Sequence, residues 1–180
     1  MKIKTCMWIV LSCLGTIQLH ADTNQSPKDS ITVYLFLHES CIISQYYTLP
    51  LREMHQEYAN DQLQFVGLFP NFSSKPNKIQ AFKETYDIPF ELKADYFHTK
   101  KEAFGATITP EVVVYNETRG TILYKGRIDD TYARVGQKRR ITTTSELEDV
   151  LNAIQNNQDI PISQTEAIGC FISKNKLTIN

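Results

Sequence analysis

The chain has 180 residues, of which 42% are hydrophobic and 22% charged, and its formal net charge is −1 at pH 7. That length suits one domain with a sizeable core, and the composition is ordinary for a globular protein. Because the net charge is close to zero, the overall charge balance gives no indication of nucleic acid or an anionic membrane surface as a partner.

The first 21 residues have the pattern of a signal peptide. Two lysines precede a short apolar core at residues 6–14, and a cleavage site follows Ala21. An apolar stretch this short predicts a cleaved signal rather than a spanning helix, and therefore an extracytoplasmic protein, periplasmic or secreted. The alternatives are an uncleaved N-terminal membrane anchor and, on the sequence Val-Leu-Ser-Cys, lipidation of Cys13.

The cysteine count depends on this signal peptide. Cleavage after Ala21 removes Cys6 and Cys13 and leaves Cys41 and Cys170 in the mature chain. Because an exported protein meets an oxidising compartment, these two cysteines could form a disulfide. The alternative is a pair of unconnected thiols.

The first half of the chain alternates between strands and helices after a polar linker at residues 22–30. Residues 31–37 and 63–69 are rich in β-branched and aromatic side chains, which predicts two buried strands. Between them, apolar residues at helical spacing predict a helix from residue 41 to about residue 60, which Pro50 should kink or interrupt. A helix over residues 75–86, a short extended piece at 88–95 and a short helix at 96–104, closed by a glycine, follow.

The second half begins with a predicted β-hairpin. Residues 111–115 and 121–124 are the two strands, and Gly120 ends their connection. The polar loop at residues 126–144 carries a basic cluster. We interpret this cluster as a solvated face, with an anionic ligand or an acidic partner as the alternative.

The last predicted helix follows this loop. Apolar residues at i, i+3, i+4 and i+7 spacing predict an amphipathic helix that starts near Ser145, where Ser145-x-x-Glu148 has the pattern of a capping box. Residues from 161 onward form an irregular tail that contains Cys170 within the apolar sequence Ile-Gly-Cys-Phe-Ile. Apolar residues in a tail indicate that it docks on the domain.

This order of elements predicts an α/β fold with a mixed central sheet and helices on both faces. The first two strands are joined by a crossover helix, so they should be parallel and the crossover right-handed. The closing hairpin adds antiparallel strands. We therefore predict one domain over residues 31–158 and a C-terminal tail over residues 159–180.

Two local features give the chain a resemblance to the thioredoxin fold, a three-layer sandwich. Cys41 lies where the first strand passes into the first helix, and Ile108-Thr109-Pro110 comes immediately before the strand at 111–115. In thioredoxin-like proteins this proline is cis and packs against the active-site cysteine, so the resemblance implies that Thr109 and Pro110 orient a substrate.

Finer details resemble the redoxin branch, which is related to alkyl hydroperoxide reductase and thiol-specific antioxidant proteins. The matching segments are Tyr86-Asp-Ile-Pro-Phe90, Phe104-Gly-Ala-Thr-Ile-Thr-Pro110 and Tyr124-Lys-Gly-Arg-Ile-Asp129.

The sequence departs from the family pattern at two positions. Peroxiredoxins of this branch place Thr or Ser three residues before the peroxidatic cysteine, where this chain has His38, which argues against an efficient peroxidase. Dithiol oxidoreductases of the fold carry Cys-x-x-Cys, where this chain has Ser44 as the fourth residue. A disulfide therefore cannot form within the first loop.

The chemistry predicted for Cys41 is thiol–disulfide exchange with a protein client or reductant. A helix N-terminus favours the thiolate, which is the nucleophilic form. Ser44, one helical turn further on, could donate a hydrogen bond to this thiolate, and Cys170 could be a remote resolving thiol or disulfide partner. The alternatives are a non-catalytic thioredoxin-like binding module with a structural Cys41–Cys170 disulfide, and a weak peroxidase.

The sequence predicts no cofactor and no metal site. A Cu(I) site of two thiolates and one imidazole would require His38, His55 or His98 to join the cysteines. No spacing in the sequence supports that arrangement.

Overall fold

A computed structural model, which describes residues 28–173, contains a central five-stranded sheet flanked by helices. The first half of the chain forms the following elements: β1 (Ile31–Phe36), α1 (Ile42–Tyr46), α2 (Thr48–Tyr58), β2 (Leu63–Phe69), α3 (Pro76–Thr85), β3 (Glu91–Ala94) and α4 (Thr99–Phe104). The second half forms β4 (Ile108–Thr109), β5 (Glu111–Asn116), β6 (Thr121–Gly126), β7 (Tyr132–Arg134), β8 (Gln137–Lys138), α5 (Glu146–Gln155) and β9 (Cys170–Phe171).

The central sheet is mixed, and its strand order is β3-β2-β1-β5-β6. β1 is parallel to β2, and β2 is parallel to β3. β5 is antiparallel to both β1 and β6. The predicted parallel pair and the predicted closing hairpin are therefore both confirmed.

Alternate residues of β1 face two apolar clusters on opposite sides of the sheet. Val33 and Leu35 belong to the larger cluster, which includes Leu51 of α2 and Leu147 of α5. Tyr34 and Phe36 belong to the smaller cluster, which contains Phe104 of α4. Because strand side chains alternate between faces, this division explains why β1 is buried along its whole length.

Pro50 interrupts the first helix, as predicted. α1 ends at Tyr46, and Pro50 lies in the first turn of α2. Proline has no backbone N–H, so it cannot bond to the carbonyl of Tyr46 four residues earlier. The amide of Leu51 resumes the helical pattern by donating to the carbonyl of Tyr47 at 3.0 Å.

Two sequence-based expectations for the region after β6 need correction. The polar loop at 126–144 contains the small antiparallel hairpin of β7 and β8. Ser145 is the N-cap residue of α5, but its side chain makes no capping hydrogen bond, so the predicted capping box is wrong. Its φ of −123° and ψ of 67° depart from the extended conformation usual at an N-cap, in which the hydroxyl meets the first helical amides.

The C-terminal tail docks on the domain. Strand β9 pairs antiparallel with β4, with Ile108 opposite Phe171 and Thr109 opposite Cys170. Ile172, which is buried, packs in the smaller apolar cluster. This docking places Cys170 of the tail beside Thr109 of β4.

Within the described part of the chain, no helix is long and apolar enough to cross a membrane. The predicted signal peptide, its cleavage site and the lipidation alternative at Cys13 lie outside the described residues.

Candidate functional site

Cys41 lies between the carboxyl end of β1 and the start of α1. It is the N-cap residue of α1, with φ −86° and ψ 116°, and only 1% of it is exposed. Its amide donates to the carbonyl of His38 at 3.0 Å, and its carbonyl accepts from the amide of Gln45 at 2.9 Å. These bonds fix the backbone of the loop and direct the thiol toward the protein interior.

The segment Thr109-Pro110 lies next to this thiol. The Thr109–Pro110 peptide bond is cis. The Cys41 Sγ–H donates to the carbonyl oxygen of Thr109 at 3.3 Å, and both Thr109 and Pro110 are buried. The two sequence features that carried the thioredoxin resemblance are therefore in direct contact.

Cys170 completes the site from the tail. Its Sγ lies 2.9 Å from the Sγ of Cys41, although the two residues are 129 positions apart in the sequence. Both are free thiols in this structure. The hydroxyl of Thr109 donates to the carbonyl of Cys170 at 3.3 Å, which fixes the cysteine beside its partner.

The two thiols have opposite tendencies to ionise. Burial opposes ionisation of Cys41, but hydrogen bonds from the Cys170 thiol, from the amides of Ser44 and Ile43 and from the Ser44 hydroxyl outweigh it and lower the pKa of Cys41. Burial raises the pKa of Cys170 to about 11, and its hydrogen bond to Cys41 and the negative charge there act in the same direction. Cys41 therefore ionises first, and Cys170 stays protonated and donates a hydrogen bond to the Cys41 sulfur.

Ser44 supports the loop as well as the sulfur. Its side chain is fully buried, and its Oγ accepts a hydrogen bond from the amide of His38 at 3.3 Å. The imidazole of His38 contacts other residues than the sulfurs: its Nε2 lies 3.3 Å from the hydroxyl of Ser73 and 3.8 Å from the carboxylate of Glu39.

The other two described histidines also have partners away from the sulfurs. His98 is buried and its Nε2 lies 2.9 Å from the carbonyl of Pro70, while His55 packs against the rings of Phe65 and Phe90. Within residues 28–173, no group of three or more His, Cys, Asp or Glu side chains is placed to hold a metal ion.

The β7–β8 hairpin packs an aromatic and a basic side chain, Tyr132 and Lys138, against the tyrosines that follow Cys41 in the chain. The ring of Tyr132 contacts those of Tyr46 and Tyr47 at centroid distances of 5.4 and 6.1 Å, and Lys138 Nζ lies 4.0 Å from the centroid of Tyr46. Burial raises the pKa of Tyr132, and negative charge on Cys41 contributes to the same shift. Part of the basic loop therefore lies near Cys41, a position that the sequence did not indicate.

Three further residues that sequence reasoning missed hold the tail and β4 in place. The carboxylate of Glu111 accepts a hydrogen bond from the amide of Thr107 at 2.9 Å, which ties the segment before the cis proline to β5. Asn71 Oδ1 accepts from the amide of Ser173 at 2.8 Å. Gly169 permits close backbone contact with Thr109, and a glycine directly before the tail cysteine was the one available signal.

Comparisons with known proteins define the fold. No family model and no curated protein matches this chain. Many solved structures are similar to it, among them the following three. An uncharacterized conserved protein from Geobacillus kaustophilus has 21% identity and a TM-score of 0.72, covering 82% of this chain and 79% of that one. A hypothetical protein from Sinorhizobium meliloti 1021 has 22% identity and a TM-score of 0.70, covering 81% and 80%.

The third structure is of a thioredoxin-like protein in the oxidized form. It has 20% identity and a TM-score of 0.54, covering 73% of this chain and 81% of that one. At these identities the likeness shows the fold alone. The predicted fold class, a thioredoxin-like α/β sandwich with a mixed central sheet, is confirmed.

Proposed function

We propose that the chain is an exported thiol–disulfide oxidoreductase of thioredoxin-like fold, in which Cys41 is the nucleophile and Cys170 the resolving thiol. The observation that carries the proposal is the 2.9 Å separation of the two sulfurs. A disulfide bond is about 2.05 Å long, so a shift of about 0.9 Å would bring the sulfurs to bonding distance. Ser44 would donate a hydrogen bond to the thiolate, and Thr109 and Pro110 would orient the substrate.

The proposed reaction reduces a client disulfide in two steps. The Cys41 thiolate attacks one sulfur of the client, a mixed disulfide forms, and the other client sulfur leaves as a thiolate. Cys170 then loses its proton to solvent and attacks the Cys41 sulfur, which releases the second client thiolate. The client gains two electrons, and the protein is left with a Cys41–Cys170 disulfide. An external thiol reductant restores the two thiols.

The cellular setting is part of the proposal. The signal-peptide pattern at residues 1–21 and the linker at 22–30 support export, followed by a domain at 31–158 and a tail at 159–180. The partners would be a protein with a thiol or disulfide and a thiol reductant, without nucleic acid and without membrane contact beyond an N-terminal anchor. Membership of the redoxin branch rests on the three sequence segments quoted above.

The burial of Cys41 favours a second candidate function. Because only 1% of Cys41 is exposed, a static Cys41–Cys170 disulfide in a non-catalytic binding module would also fit this geometry. The two candidates differ in turnover. A catalyst cycles between dithiol and disulfide, whereas a structural disulfide forms once and persists.

A turnover assay separates the two candidates. An unfolded polypeptide that contains disulfides is incubated with dithiothreitol, and the release of its thiols is followed with wild type, Cys41→Ser and Cys170→Ser. We expect wild type to accelerate the release and Cys41→Ser to match the uncatalysed rate. Reduced Cys170→Ser, freed of dithiothreitol before it meets the polypeptide, should accumulate a mixed disulfide on Cys41. Equal rates with wild type and Cys41→Ser would support the binding module and refute the catalyst.

A further inference from the structure

The proposed nucleophile is closed off from solvent in this structure. The Sγ of Cys41 contacts the Sγ of Cys170 at 2.9 Å and the carbonyl of Thr109 at 3.3 Å. A thiolate exchanges only with a disulfide whose sulfur it can touch, so part of this cover must move before a client reacts. Thr109 is joined through Pro110 to β5 of the central sheet, whereas Cys170 belongs to the tail.

The tail has a first attachment on β6, made by Ser163 and Thr165, which precede Cys170 by seven and five residues. The amide of Lys125 donates to the carbonyl of Ser163, and the amide of Thr165 donates to the carbonyl of Lys125, both at 3.0 Å. The hydroxyl of Thr165 also accepts from the amide of Arg127 at 3.1 Å. None of these bonds involves residues 169–173, so this attachment to β6 does not depend on a contact made by Cys170.

The second attachment is short and lies beside the site. It includes the two-residue pairing of β9 with β4, the buried side chain of Ile172, a hydrogen bond from the amide of Ile172 to the carbonyl of Thr107 at 2.9 Å, and one from the amide of Ser173 to Asn71 Oδ1 at 2.8 Å. Between the two attachments, the tail borders a cavity of about 810 Å³. Only the second attachment has to break for the tail cysteine to leave.

Gly169 makes this second attachment sensitive to a single methyl group. A Cβ at this position would lie 2.6 Å from the carbonyl carbon of Thr109 and 2.9 Å from Cγ2 of Ile108, closer than side chains approach such atoms in proteins. The tail backbone can therefore press against β4 only because this residue is glycine. Gly169→Ala should lift the neighbouring cysteine away while leaving the sequence of the Cys41 loop and of the central sheet unchanged.

We propose that residues 169–173 form a latch that covers Cys41 while it is docked on β4 and is released to admit a client disulfide. This inference rests on the proposed function and assigns a regulation to its site. Once the mixed disulfide has formed on Cys41, redocking of the latch returns Cys170 Sγ to the Cys41 sulfur, which it attacks with release of the client thiolate. The latch therefore admits only clients that can displace β9 from β4. When it docks again, Cys170 resolves the mixed disulfide on Cys41.

The test measures access to Cys41 without any client. The fully reduced full-length chain is treated with N-ethylmaleimide over a range of pH, and the modified cysteine is identified by peptide mass mapping. Fitting the pH profile gives the limiting rate for the ionised thiol, which separates access from a change in pKa. Gly169→Ala should raise this limiting rate by about tenfold or more, since modification follows the population of the open state. Glu166→Ala, at an exposed position of the tail before the latch, is the control and should leave the rate unchanged.

Equal limiting rates in wild type and Gly169→Ala would overturn the latch. If circular dichroism shows that Gly169→Ala does not fold, Ile172→Ala decides, because it removes a buried side chain of the same attachment. An increased limiting rate in Ile172→Ala supports the latch, and an unchanged rate overturns it. Faster modification of Cys41 together with no client reduction would support the latch and count against the proposed function alone.

Discussion

Replacing Cys170 with alanine should make Cys41 a weaker acid. In the dithiol state, the Cys170 thiol donates to the Cys41 sulfur at 2.9 Å, and its own pKa of about 11 keeps it protonated at neutral pH. Cys170→Ala removes this donor, while the amides of Ile43 and Ser44 remain. The pKa of Cys41 should therefore rise toward that of a free thiol, which is about 8.5.

The size of the effect follows from the strength of the lost bond. A hydrogen bond to a charged group contributes about 1.5–3 kcal/mol, and about 1.4 kcal/mol corresponds to a tenfold change in an ionisation equilibrium. Cys170 is only half-buried, so in Cys170→Ala a water molecule can donate to the Cys41 sulfur in its place. The loss should therefore lie near the lower end of that free-energy range, at about 1.5 kcal/mol. We expect the thiolate fraction of Cys41 to fall by about tenfold at a pH below its pKa.

The assay follows thiolate absorbance near 240 nm or the pH dependence of alkylation, with the modified residue identified by mass mapping. Cys170→Ser is the matched control, because its hydroxyl keeps a donor at the same position, and its effect on the pKa of Cys41 should be smaller. The reasoning is refuted if the pKa of Cys41 is unchanged or lower in Cys170→Ala, or if alanine and serine have equal effects.

Three other predictions concern the loop and the core. Ser44→Ala should raise the pKa of Cys41 by less than loss of the tail thiol does, measured by the same titration, and a lowered pKa would contradict it. Hydrogen bonds from the Thr143 hydroxyl and amide hold the pKa of Asp130 at about 2, below its unfolded value, so they stabilise the fold above about pH 4 and are lost as the pH falls toward 2. Asp130→Asn should lower the free energy of unfolding at pH 7 by about 1–3 kcal/mol, and urea titrations should show this difference shrinking toward pH 2, whereas a pH-independent difference would contradict it. Leu147→Ala, at a fully buried position of α5, should cost about 2–5 kcal/mol in urea denaturation, and a cost below about 1 kcal/mol would show that α5 does not complete the core.

The sheet and the position of Cys41 could be predicted because their signals are local. Residues 31–37 and 63–69 are continuous runs of β-branched and aromatic residues, a pattern typical of a buried strand. Pro50 interrupts the first helix because proline has no backbone N–H to donate. The same runs place Cys41 at the junction between the first strand and the first helix. The predicted strand at 111–115 places Thr109-Pro110 directly before it.

The rest of the site depends on contacts without a local signal. The meeting of Cys170 with Cys41 across 129 residues requires a two-residue strand pair and the close approach at Gly169, neither of which has a periodicity to detect. The β7–β8 hairpin has strands of three and two residues in a polar sequence, and it is held beside the site by the ring of Tyr132. The missing capping bond of Ser145 likewise reflects its backbone angles, which the loop before α5 imposes.

The stoichiometry of a single turnover shows whether Cys41 and Cys170 act as nucleophile and resolving thiol. The reduced chain is mixed with an excess of a peptide disulfide, and released thiols and protein mass are measured together. We expect two peptide thiols to be released per wild-type chain, with a Cys41–Cys170 disulfide as product. Each Cys170→Ala chain should release one thiol and keep the peptide attached to Cys41. A wild type that releases no thiol, or that carries the peptide on Cys170 and not on Cys41, would contradict the proposed function.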